Sequence, residues 1–158
     1  MAANRIKIAK DKAELVKSLV ASKDTNGPFQ TYVDVLIFSA SIGAKHKKRV
    51  ALGDISKRDP DPIPQEHFIT RGYDTLIKIL ALVESKDINI ISSNEENYDD
   101  QRIQIFEEYA NGGLEILQTE IRGSVDYLDR LLLILKYDNS QGNHDNSEFD
   151  LRIFLEKM

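Results

Sequence analysis

Near the start of the chain Ile6 and Ile8 alternate with Arg5 and Lys7. This is the period-two pattern of a strand with one buried face and one basic face. Two helices joined by a turn follow, up to Gly43, so the strand stands alone, and an isolated short strand leaves its backbone N–H and C=O groups without partners. The simplest partner is the same strand in a second copy of the chain, which predicts a homodimer or higher oligomer paired across a two-fold axis.

Asp11 and Glu14 have the spacing of a capping box, and Leu15, Val16, Leu19 and Val20 then form one apolar face at helical spacing. A polar turn over residues 22–27 precedes Pro28, which suits the first position of a second helix. That helix carries Phe29, Tyr32, Val33, Leu36, Ile37 and Ala40 on one face, and Gly43 is placed to stop it in a left-handed cap. Ser39, Ala40, Ser41 and Gly43 are all small, so another helix can approach closely, either in a dimer interface or in a tight core.

Strand, helix and helix together predict a ribbon-helix-helix-like unit whose basic ribbon meets double-stranded DNA. Arg5 and Lys7 would enter the major groove. Asn26 and Gly27 would set the N-terminus of the second helix against a phosphate. Lys10, Lys47, Lys48 and Arg49 would add attraction to the phosphate backbone, the last three belonging to the densest basic run in the protein, Lys45-His46-Lys47-Lys48-Arg49. The turn departs from the ribbon-helix-helix pattern, because Gly27 is followed by Pro28 and Phe29 instead of a residue and then Ser, Thr or Asn. The plainer alternative is that Arg5 and Lys7 only solubilise an edge strand.

Residues 59–64 hold three of the four prolines and mark the best internal boundary. Charge changes sign there. Residues 1–58 contain 12 Lys and Arg against 5 Asp and Glu, net +7, whereas residues 59–158 contain 9 against 21, net −12. Such asymmetry implies two surfaces with different partners, or two parts that face each other. The absence of cysteine excludes disulfides, thiolate metal sites and cysteine nucleophiles. The charged start is unlike a signal peptide, and apolar runs such as residues 131–135 are far too short for a membrane span, so a soluble, cytoplasmic protein with no membrane partner is expected.

In the acidic part, residues 73–84 read as a helix apolar around most of its circumference, hence central. Ile88, Ile90 and Ile91 permit a short strand, and Ser93 or Asn94 can cap a further helix whose first turns hold Glu95, Glu96, Asp99 and Asp100, charges that complement the helix dipole. That helix meets an expected stop at Gly112-Gly113. A second apolar stripe runs through Leu114, Leu117 and Ile121 to Val125, Leu128, Leu132 and Leu135, with Gly123 either breaking or only weakening it. Residues 138–147 read as a polar loop, and residues 148–158 as a last amphipathic segment with Phe149, Leu151, Phe154 and Leu155. His46, His67 and His144 make no spaced ligand pair, the Asp138-Asn139-Ser140-Gln141-Gly142 stretch fails the calcium-loop pattern, and no phosphate-cradling glycine loop exists. The expectation is a non-enzyme without metal or cofactor. A nuclease would have to assemble its carboxylates from separate helices.

The segment from Ile105 to Leu117, Ile-Phe-Glu-Glu-Tyr-Ala-Asn-Gly-Gly-Leu-Glu-Ile-Leu, resembles the DNA phosphorothioation-associated protein 4 family, also called Dnd system-associated protein 4. The opening Arg5 to Lys12 and the block from Phe38 to Arg49 share that resemblance, which covers most of residues 4–136. It implies a bacterial or archaeal accessory protein encoded beside genes for phosphorothioate DNA modification and its dependent restriction, with other proteins of that system as partners. It brings no catalytic motif. The combined expectation is a mainly α protein, a basic strand-helix-helix unit over residues 1–58 followed by an acidic α-helical bundle over 59–158. Its function would be DNA binding, or alternatively an adaptor acting through the acidic helical part.

Overall fold

A computed structural model describes residues 4–92 and 95–145. The strand is present, with Ile6 and Ile8 buried and Arg5, Lys7 and Lys10 exposed. Its partner comes from the same chain. β1 (Arg5–Ile6) pairs antiparallel with β2 (Ile63–Pro64), Arg5 opposite Pro64 and Ile6 opposite Ile63. The pairing continues beyond the strands, since Ser56 N–H donates to the Ile8 carbonyl and Lys10 N–H to that of Asp54, both at 2.8 Å. The proline-containing connection therefore folds back as the missing second strand, and the two-copy ribbon is not required to satisfy the backbone.

The helices are α1 (Ala13–Leu19), α2 (Tyr32–Lys45), α3 (Gln65–Thr70), α4 (Asp74–Ser85), α5 (Glu96–Glu120) and α6 (Tyr127–Asp145). Short 3₁₀ turns cover Lys10–Lys12 and Ile88–Ile91, the latter in place of a strand. Asp11 does not cap α1; its carboxylate lies 2.6 Å from Lys12 Nζ, and the 3₁₀ turn leads into the helix instead. The expected cap at Ser93 or Asn94, and the segment 148–158, lie outside the described residues. The polar stretch from residue 138 is the end of α6 as far as residue 145, not a loop.

The centre of the fold is α2 against α5, not residues 73–84. In α4, Ile77, Leu80 and Ala81 are buried while Ile79 and Val83 are exposed. In α2, by contrast, Val33, Val35, Leu36, Ile37, Ser39, Ala40, Ile42 and Gly43 are all buried. Phe106 of α5 meets Phe68 of α3 edge to face at 5.6 Å, closing the core on its other side.

Three glycines read as helix stops serve this crossing. α5 runs straight through Gly112 and Gly113, and α2 continues past Gly43 to Lys45. A Cβ on Gly113 would lie 1.7 Å from the Ser39 carbonyl oxygen, one on Gly43 2.1 Å from that of Tyr109, and one on Gly112 1.9 Å from that of Lys48. The helices touch backbone to backbone, and only glycine allows it. α2 ends at Lys45, and the left-handed residue that closes it is Lys47, with φ 52°; Lys48 N–H donates to the Gly43 carbonyl and Lys47 N–H to that of Ala44, a Schellman closure. Gly123, with φ 76°, lies in the turn that separates α5 from α6.

Gly113→Ala tests this reading. In an ordinary helix interior the change gains about 1 kcal/mol, but overpacking against Ser39 costs about 1–3 kcal/mol or more. A net loss of stability in urea unfolding is expected. A variant as stable as the parent would show that the helices separate without cost.

Candidate nucleic-acid interface

Arg5 and Lys7 project from the face of β1 opposite the buried Ile6 and Ile8. Arg5 Nη1 donates to the Pro62 carbonyl at 3.0 Å, which steadies its guanidinium against the paired strand. Lys7 and Lys10 are exposed, and among the described residues none of the three has a carboxylate partner. The fold adds two cations that sequence reasoning missed. Lys57 and Arg58 share with Lys10 a cleft of about 560 Å³, because the pairing of residues 54–56 with 8–10 carries them beside it. Their adjacency is visible in the sequence, but nothing there places them next to the strand. Glu14, Asp54 and Asp59 line the same cleft, so its charges are balanced rather than one-signed.

Asn26 and Gly27 are not at a helix N-terminus. α2 begins at Tyr32, and Thr31 caps it: Thr31 Oγ1 accepts from Asp34 N–H at 3.3 Å and donates to the Asp34 carboxylate at 2.7 Å. Asp34 already places a negative charge at the dipole's positive end, and Arg71 and Tyr73 hold it there at 3.2 and 3.1 Å. Gly27 is buried instead where the loop crosses the end of α1, since a Cβ there would lie 2.3 Å from the Leu19 carbonyl carbon. The helix N-terminus expected at Asn26 and Gly27 lies at Thr31 instead, because the chain first passes over α1, with Phe29 N–H donating to Leu19 and Ala21 N–H to Phe29.

The basic run is largely neutralised by the acidic part of the same chain. Lys45 and His46 lie 3.6 and 3.3 Å from the buried Asp138 of α6, and Lys48 lies 3.0 Å from Glu115 of α5. Arg49 pairs with Glu84 of α4 at 2.9 Å and with Glu108 of α5. The Tyr109 hydroxyl donates to the same Glu84. Hydrogen bonds from Tyr109 and Arg49 hold the Glu84 carboxyl below its usual range, while burial and the neighbouring Glu84 push Tyr109 up to about 12. Asn111 Nδ2 donates to the Val50 and Ala51 carbonyls at 3.3 and 3.1 Å, fastening the chain just beyond the run to α5. Only Lys47 of the run is exposed without an ion-pair partner among the described residues. The two oppositely charged parts of the chain thus face each other here.

Two acidic groups tie β1 to α5. Asp99 accepts from Asn4 at 2.6 Å, Gln65 at 3.0 Å and Arg102 at 2.9 Å, joining strand, α3 and α5. Burial opposes its ionisation, but these hydrogen bonds prevail and lower its pKa. Glu107 Oε1 accepts the Lys7 backbone N–H at 2.8 Å. Burial pushes Glu107 up to about 7, with the Lys7 hydrogen bond and charge pulling the other way. Among the described residues no cluster of three or more His, Cys, Asp or Glu is arranged to hold a metal ion, and no helix is long and apolar enough to cross a membrane.

These features define a mainly helical protein with a small internal sheet, in which part of the charged surface is folded onto itself. The family model described as DNA sulphur modification system-associated protein 4 matches residues 5–154, and the chain belongs to that family. No match was found among curated proteins or among solved structures.

The Glu107 environment makes stability depend on pH in a defined direction. Between an unfolded value of about 4.5 and a folded value of about 7, the folded state binds more protons, so stability falls as pH rises across that window. Glu107→Gln keeps an acceptor for Lys7 and removes the titration. Urea unfolding from pH 4.5 to 7 should therefore show a smaller decline in the variant than in the parent, and equal slopes would exclude Glu107 as the source.

Proposed function

We propose that this chain is a non-enzymatic accessory protein of the DNA sulphur modification system that acts as a protein–protein adaptor through its helical part. The family supplies the system. The observation that carries the adaptor role is the exposed apolar edge of that part: Ile79 and Val83, one turn apart on α4, are 49% and 69% exposed, and Ile88 just beyond the helix is 64% exposed. Aliphatic side chains grouped in this way suit a protein surface that desolvates them. The partner of matching chemistry is an apolar face on another protein of the same system. Neutralisation of Lys48 and Arg49 within the chain supports the same reading, since those cations are engaged with Glu115, Glu84 and Glu108. Co-expression of the chain with the other proteins of the system, followed by affinity purification, is expected to recover a complex that the Ile79→Asp, Val83→Asp double variant loses while its far-ultraviolet circular dichroism is unchanged. Recovery of the same complex with the double variant would remove α4 from the contact.

The DNA reading keeps one specific support: the side chains of Arg5, Lys7, Lys10, Lys47, Lys57 and Arg58 are exposed and make no ion pair among the described residues. Lys48 and Arg49 are engaged with Glu115, Glu84 and Glu108, and Asn26 and Gly27 lie in the loop that crosses α1. Ile6 and Ile8 are core residues, so charge reversal rather than truncation isolates the surface. If DNA is bound, duplex affinity should fall steeply with salt and be lost in the Arg5→Glu, Lys7→Glu, Lys10→Glu variant. Absence of binding at low salt, to ordinary and phosphorothioate duplexes alike, leaves the adaptor role alone.

A further inference from the structure

One side of α6, next to the face that meets the body, carries an apolar seam that the described chain leaves open. α6 meets the body through Leu131, Ile134 and Asp138, which are buried. Leu128, Leu132 and Leu135 are 51%, 47% and 43% exposed, and Val125 just before the helix is fully so. Within the helix Leu128, Leu132 and Leu135 are spaced by four and three residues, the a/d alternation of a coiled coil, and the next a position is the exposed Asn139. A polar residue at a single a position is a device for setting register. The two flanks of the seam differ. One holds Leu131 and Asp138 and is closed against the body. The other holds Asp129 and Lys136, both exposed and without an ion-pair partner among the described residues.

We propose that α6 pairs antiparallel with α6 of a second copy of this chain. Flank charges set orientation in such pairs. A parallel pair would join unlike flanks and require the side already occupied by Leu131 and Asp138. An antiparallel pair joins like flanks, so the open side meets the open side. Setting Leu132 against Leu135 of the partner subunit brings Asp129 opposite Lys136 of the partner subunit, and two-fold symmetry repeats both contacts. Asn139 then closes each end of the seam beside Leu128 of the partner subunit. The opposite signs of Asp129 and Lys136 at matching positions single out a second copy as the occupant. The contact spans roughly 17 Å of helix at 1.5 Å per residue, short enough for a reversible dimer. It uses a different surface from the α4 edge and does not depend on the adaptor reading.

Sedimentation velocity of the full chain from low to several hundred micromolar is expected to show a dimer that grows with concentration. Leu132→Glu with Leu135→Glu should keep it monomeric at an unchanged melting temperature, because both side chains are half exposed in the single chain. Asp129→Lys or Lys136→Asp alone should weaken association roughly two- to tenfold, and the two together should restore it. A chain monomeric throughout, or a dimer that survives the double glutamate variant, overturns the proposal. Failure of the combined charge swap to restore association overturns the antiparallel register.

Discussion

The backbone contact between α2 and α5 is the constraint on which the rest of the structure depends. With Gly43 beneath Tyr109 and Gly113 beneath Ser39, the helices approach more closely than side chains would permit. α5 thereby becomes the post to which other elements are fastened. Glu107 receives β1, Asp99 receives Asn4 and Gln65, and Asn111 holds the chain beyond the basic run. Displacing α5 by the width of one methyl group would disturb all of these at once, since close-packed interiors transmit such shifts.

The same geometry reorganises the charge. A chain with +7 in its first 58 residues and −12 in the remainder has the composition for two opposed surfaces. Much of that difference is instead satisfied where the end of α2 crosses α4, α5 and α6, with Arg49 between Glu84 and Glu108 and Asp138 beneath Lys45 and His46. Surface ion pairs of this kind contribute little to stability individually. Their larger consequence here is that Lys45, Lys48 and Arg49 of the basic run are engaged within the chain, which leaves, among the described residues, the unpaired cations beside β1 and at Lys47. Exposed apolar side chains lie elsewhere, at Ile79 and Val83 of α4 and at Leu128, Leu132 and Leu135 of α6.

Local pattern was a good guide wherever a residue's role depended on near neighbours. The alternation of Ile6 and Ile8 with Arg5 and Lys7 marked a strand, and the spacings of Val16 with Leu19 and of Val33 with Leu36, Ile37 and Ala40 marked buried helix faces. The Ile105 to Leu117 segment pointed to the family. Glycine misled in both directions. Gly43, Gly112 and Gly113 look like helix stops because a glycine that ends a helix and one that admits a neighbouring backbone are the same letter. Asn26-Gly27 looked like a helix start, yet Thr31 caps α2 five residues later, after the chain has crossed α1.

The sequence by itself determined the helical class, the amphipathic strand, the charge asymmetry and the family, because each is carried by short-range periodicity, composition or motif. Only the tertiary structure decided that β2, 58 positions beyond β1, is the strand's partner, that the small residues of α2 pack within one chain, and that the basic run faces carboxylates instead of solvent. Those outcomes depend on which distant backbone edges, glycines and charges come within a few ångströms of each other. No local period encodes that, and closing the chain around α5 supplies it.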